Sequence, residues 1–143
     1  MEIRSFKIKD FNDICKIFRS SLKSQSMSEQ NLNVSLKNTL SGLGGHTYCF
    51  FKDDRLIGFV VLQCGKLFYE ETYKTVIDFI YLPAEHCIQN NVNQIINVIN
   101  AWADERGYKG IAVGDTAFLQ AEIKPLLFKI LLFSQIETVW ETA

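Results

Sequence analysis

The sequence predicts a single α+β domain spanning residues 1–143, in which a mixed, mostly antiparallel sheet of about six to seven strands is covered by about four helices. Three observations lead there. Residues 47–51 and 56–63 are rich in aromatic and β-branched residues on either side of Lys52-Asp53-Asp54-Arg55, which reads as a β-hairpin. Residues 75–82 form a near-continuous apolar run, broken by Asp78 and closed by Pro83, which reads as a strand deep in the sheet. An amphipathic segment, 91–105, then leads directly into a second apolar run at 110–113. Strand, helix and strand therefore make one right-handed unit with parallel strands.

The remaining elements fill in around these. Residues 2–8 alternate apolar and polar as a strand, and Asp10 then caps a helix with Phe11, Ile14, Cys15, Phe18 and Leu22 at helical spacing. Ser28 followed by Leu32, Leu36 and Leu40 predicts a second helix with a narrow apolar stripe, stopped by Gly42, Gly44 and Gly45. In the amphipathic helix, Val92, Ile95, Ile96, Ile99 and Trp102 share one face, and Arg106-Gly107 end it. Pro125 suits the first turn of a further helix, and residues 133–140 read as a closing strand.

Composition narrows the function classes. Of the 143 residues 48% are apolar and 22% charged, with net charge −1, so the chain has a core to bury and is not disordered. No Lys/Arg-rich stretch marks a nucleic-acid surface, and no apolar run approaches the length of a membrane span. The expected location is the cytoplasm. Cys15, Cys49, Cys64 and Cys87 stand far apart without paired spacing, so they read as small buried hydrophobes and no metal site is expected.

The order of elements resembles that of the GNAT superfamily of acetyl-CoA-dependent N-acetyltransferases over essentially the whole chain. Three segments carry the resemblance: Asp53-Asp54-Arg55-Leu56-Ile57-Gly58 is similar to the family's hairpin turn, Ile77-Asp78-Phe79-Ile80-Tyr81-Leu82 to its central strand, and Ala101-Trp102-Ala103-Asp104-Glu105-Arg106-Gly107-Tyr108 to its helix end. The resemblance implies transfer of an acetyl group from acetyl-CoA to the primary amine of a small molecule or protein. It places the cofactor's pantetheine arm on the strand edge Phe79, Ile80, Tyr81 and Leu82, and its pyrophosphate on the backbone N–H groups of a helix N-terminus.

Two departures stand out. The family's glycine-rich pyrophosphate loop is matched by Cys87-Ile88-Gln89-Asn90-Asn91-Val92, without glycine or arginine, where Asn90 or Asn91 is the residue best able to adopt a left-handed turn. The tyrosine that often protonates the departing thiolate is matched by Phe128, which has no proton to give. Asp78 is the leading catalytic base, since a carboxylate among Ile77, Phe79 and Ile80 should have a raised pKa. His86 is the second, and a Cys87 nucleophile ranks below both. Simple alternation sets Tyr81 on the face opposite Asp78, and His46 and Tyr108 read as packing residues.

A non-catalytic binding or structural protein on the same fold is the alternative, with a protein partner or a homodimer then expected. The chain's size and altered loop also resemble small members of this fold encoded by tailed phages, which would place it in a host cytoplasm or virion.

Overall fold

The computed structural model describes residues 1–22, 28–41, 44–66 and 71–134. The hairpin forms as its composition dictates. Strand β2 (His46–Lys52) turns through Asp53 and Asp54 into β3 (Arg55–Gly65), with Lys52 opposite Arg55. Strand β1 (Glu2–Ser5) adds to β2, and β4 (Lys74–Tyr81) adds to β3, all antiparallel; β5 (Ile111–Leu119) then joins β4 in parallel. The sheet order is β1-β2-β3-β4-β5.

Both turn residues are non-glycine with positive φ, 50° at Asp53 and 62° at Asp54. A two-residue turn of this hand matches the strand twist and normally places glycine second, because a Cβ is strained there. Asp54→Gly is therefore expected to stabilise the fold by about 1 kcal/mol. A urea midpoint that fails to rise would show that the Asp54 side chain offsets its backbone strain.

Helices cover both faces. On one face Phe50, Val60, Leu62, Ile77 and Ile80 meet Val92, Ile95, Ile99 and Trp102 of α3 (Gln89–Glu105), together with Leu127 and Leu131 of α4 (Lys124–Ser134). On the other, Cys49, Phe51, Phe59, Val61 and Phe79 meet Ile14 of α1 (Phe11–Ile17), Phe18, and Leu32 and Leu36 of α2 (Glu29–Leu40). The Ser28 hydroxyl accepts the Asn31 N–H at 3.1 Å, as its capping role predicts.

Several boundaries differ from the sequence expectation. The first strand stops at Ser5 because Asp10 organises a turn of 3₁₀ helix, Ile8–Asp10, ahead of α1. Its carboxylate takes both guanidinium nitrogens of Arg4 at 2.9 Å and the Lys7 N–H at 2.9 Å, rather than capping α1 itself. Burial alone would raise the Asp10 pKa, but these bonds outweigh it and hold the carboxyl below its ordinary value. Beyond α1 the chain continues as a π-helical turn, Phe18–Leu22.

Helix α3 begins two residues earlier than expected, and β5 runs to Leu119 rather than ending at Val113. Five strands rather than six or seven are found among the described residues. The expected closing strand fails at its start, since Phe133 and Ser134 complete α4, where the apolar run continues helically; the rest of it, 135–140, lies outside the described residues.

Candidate active site

The site is built where β4 is interrupted. Against β3, Phe79 pairs with Val61 and Ile77 with Leu62, so Asp78 is one residue too many. Against β5, Ile77 pairs with Val113 and Phe79 with Phe118, so residues 114–117 stand opposite Asp78 alone. Asp78 thus has no ladder partner on either side. The bulge also breaks the alternation of β4: Ile77 and Ile80, three apart, join one core while Phe79 and Tyr81 join the other. Simple alternation therefore no longer separates Asp78 from Tyr81.

Asp78 is half-buried and its carboxylate has no hydrogen-bond or ion-pair partner among the described residues. Burial lifts its pKa above the ordinary 3.8. A carboxylate that is desolvated and unpaired is disposed to take up a proton, which is what a general base does.

The far end of β4 is fixed by close backbone contact with β3. A Cβ on Gly58 would stand 2.2 Å from the Tyr81 carbonyl oxygen, so this position of the hairpin needs glycine. Beyond Tyr81, Leu82 is fully buried. Its N–H donates to the side-chain Oε1 of Gln120, and its carbonyl accepts from the Cys87 thiol at 3.2 Å. Burial raises the Cys87 thiol to about 11, so it remains S–H and is no nucleophile at neutral pH.

A turn of 3₁₀ helix, Ala84–His86, then leads to α3. The His86 carbonyl accepts both the Ile88 N–H and the Asn91 side-chain amide at 2.9 Å, which pins the loop. Ile88 is the N-cap of α3 and offers it no side-chain bond. The first helical bond runs from Val92 N–H to the Ile88 carbonyl, leaving the N–H groups of Gln89, Asn90 and Asn91 without acceptors among the described residues.

Asn90 and Asn91 are helical, not left-handed; the helix starts early enough to present its N–H groups without a special backbone conformation. Val92 contributes a fully buried side chain to the core. Ile88, 52% exposed, stands at the mouth of this cradle.

Two connected openings lie beside this end of the sheet. A cavity of about 350 Å³ is lined by Tyr81, Pro83, Glu85 and His86 facing Ile17, Ser21 and the hairpin residues Lys52, Asp53, Arg55, Leu56 and Ile57. It shares Ile17, Arg55 and Leu56 with a second, of about 740 Å³, which adds Asp13, Lys16, Arg19, Ser20 and Asp54. Within the groove the His86 Nε2 lies 3.7 Å from Glu85 Oε1. The structure thus brings His86 and Tyr81 to one groove, while Asp78 sits in the bulge and does not line it.

The residues present fit a diphosphate-bearing cofactor at the three N–H groups at the start of α3, whereas Leu82 is fully buried with its N–H and carbonyl bonded to Gln120 and Cys87. Phe79 and Ile80 do not offer an open edge, since β5 pairs with them through Phe118 and Leu119 and β3 flanks their other side. Gln120 carries no motif and could not be found from sequence. Gly58 was visible only as part of the hairpin resemblance.

The other sequence candidates fall elsewhere. The His46 Nε2 bonds the Ser5 hydroxyl at 2.9 Å, its ring packs on Tyr48, and burial lowers its pKa; it is structural. Tyr108 packs edge-on against Trp102. Phe128 lies on α4 against the core with the Lys124 ammonium 5.7 Å from its ring centre. Among the described residues no cluster of His, Cys, Asp or Glu could hold a metal, and no helix is long and apolar enough to cross a membrane.

No family model and no curated protein matches the sequence. Solved structures do match in shape. An aminoglycoside 6′-N-acetyltransferase from Acinetobacter haemolyticus is 18% identical, with a TM-score of 0.70, over 94% of this chain and 92% of that one. A predicted acetyltransferase from Clostridium acetobutylicum, solved with acetyl-CoA, is 14% identical with a TM-score of 0.69, over 90% of this chain and 87% of that one. A GNAT family acetyltransferase from Staphylococcus aureus is 13% identical with a TM-score of 0.62, over 83% of this chain and 91% of that one. At such identities the likeness is one of architecture, and the chain has the fold of the GNAT acetyltransferases.

Proposed function

We propose that the protein is an acetyl-CoA-dependent N-acetyltransferase acting on a primary amine. The observation that carries this reading is the meeting, just past the end of β4, of three N–H groups on α3 that have no acceptor among the described residues with Leu82, whose polar groups are held by side chains alone. Acetyl-CoA would supply a thioester, whose C–S bond would break as the uncharged amine forms the new C–N bond, with CoA leaving as the thiolate and taking its proton from solvent.

The N–H groups of Gln89, Asn90 and Asn91, at the positive end of the α3 dipole, hold the pyrophosphate. Leu82 aligns the pantetheine arm. The groove past Tyr81 and His86 admits the acceptor, a small-molecule or protein amine. Asp78 takes the amine proton through one bridging water, since it does not itself line the groove, and His86, which does, is the alternative base. This use of the α3 start replaces the missing glycine loop with ordinary helix geometry, at the expense of a side chain, Ile88, beside the phosphate path.

A second reading, a non-catalytic protein on the same fold, is favoured by Phe128 in place of a proton donor and by the pairing of β5 across Phe79 and Ile80. Thermal unfolding in the presence of acetyl-CoA separates the two. At about 100 times the dissociation constant the ligand adds about 2.7 kcal/mol of stability, a rise of roughly 10 °C for a domain of this size. An unchanged melting temperature at millimolar acetyl-CoA would dismiss the enzyme reading and leave the second.

A further inference from the structure

The backbone ladder along the edge of β4 facing β5, interrupted at Asp78, ends at Ile80, which pairs with Leu119. The next position on that edge is Leu82, and here the pattern changes. Its N–H donates to the Gln120 side-chain carbonyl and its own carbonyl accepts from the Cys87 thiol, so both polar groups of a fully buried residue just past the strand end are met by side chains. Burial makes partners obligatory, because an unpaired backbone group here would lose its hydration without compensation.

An extended ligand that adds to a strand edge supplies an acceptor for the N–H and a donor for the carbonyl, as a secondary amide in register does. Gln120 presents the first of these in chemically equivalent form, an amide oxygen. Its own NH₂ group donates to Glu122 Oε2 at 3.4 Å, which turns the amide so that the oxygen faces Leu82. Cys87 supplies the second only weakly, since a protonated thiol is a poor donor beside an amide N–H. Both are side-chain contacts, separate from the backbone ladder of β4 and β5.

We propose that Gln120 and Cys87 act as internal place-holders on the polar groups of Leu82, and that a cofactor arm lying there binds by exchanging the Gln120 amide for one of its own. This inference rests on the acetyltransferase reading above. Gln120 is here a positioning residue that lowers apparent affinity, because the binding-competent state is the one in which its side chain has left Leu82.

The test is the affinity of acetyl-CoA for the wild type, Gln120→Ala and Gln120→Asn, with adenosine 3′,5′-bisphosphate, which has no arm, as the second ligand. A displaced hydrogen bond of ordinary net strength corresponds to about fivefold in affinity. Both variants are expected to bind acetyl-CoA about fivefold more tightly than the wild type and the bisphosphate equally well; the Asn side chain keeps the amide and loses the reach. Hydrogen exchange at the Leu82 amide gives an independent reading. It is slow in the unliganded wild type, fast in both unliganded variants, and slow in all three with acetyl-CoA.

Equal or weaker acetyl-CoA binding by the variants, with binding by the wild type intact, would overturn the place-holder role and leave the acetyltransferase reading standing. A gain shared by the bisphosphate would also overturn it, since the effect would not then pass through the arm. If none of the three proteins binds acetyl-CoA at millimolar concentration, the acetyltransferase reading falls and this inference falls with it.

Discussion

Gly58→Ala is expected to destabilise the protein by about 3 kcal/mol, a fall of roughly 10 °C in melting temperature. The added Cβ would lie 2.2 Å from the Tyr81 carbonyl oxygen, 3.2 Å from its carbon and 3.1 Å from Phe50 Cδ2. None of these is the tip of a flexible side chain. The carbonyl belongs to β4 and Phe50 is fully buried, so relief requires β3 and β4 to part.

The effect should reach the site as well as the fold, because Tyr81 immediately precedes Leu82 and lines the groove. Loss of acetyl-CoA binding at a temperature where the variant remains folded would show that the close approach sets the end of β4. A loss below about 1 kcal/mol would show instead that the Tyr81 carbonyl moves aside readily.

The sequence shows elements well where local chemistry and tertiary packing agree. Ser28, Leu32 and Leu36 announce α2 because the cap and the buried stripe lie within one helix. The hairpin is equally plain, since turn residues and apolar runs are adjacent. Disagreement begins where pairing is decided by a distant strand. Residues 114–119 do not continue an uninterrupted apolar run, yet β5 continues because β4 offers it partners at Phe79 and Ile80. Gln89 and Asn90 are exposed and polar, so no periodicity marks them as the first turn of α3.

The same division governs the site. Asp78 stands out in sequence as a charge in an apolar strand, and the structure adds that it is the bulged residue. That bulge has no sequence signature, and it undoes any inference from strict alternation. The glycine-poor segment around Cys87 is legible as a departure from the family pattern, but its replacement is not. Only the fold shows that α3 begins uncapped at Gln89 and that Gln120, 38 residues from Leu82 in sequence, closes the strand edge.

Asp78→Asn is expected to lower turnover by about 100-fold or more while leaving acetyl-CoA affinity unchanged, as removal of a general base does. The pH dependence gives the sharper signature. Burial raises the Asp78 pKa above 3.8, so the folded state holds its proton to higher pH than the unfolded state does. Across that window the folded protein binds more protons, and the unfolding free energy therefore falls as pH rises from 3.8 through the folded pKa. Turnover runs the other way, rising as the carboxylate forms. One titration should thus cost stability and supply activity, and the Asn variant should lose both dependences, being the more stable protein above the folded pKa. Unchanged turnover in Asp78→Asn with a large loss in His86→Gln would move the base to His86, the side chain that lines the acceptor groove.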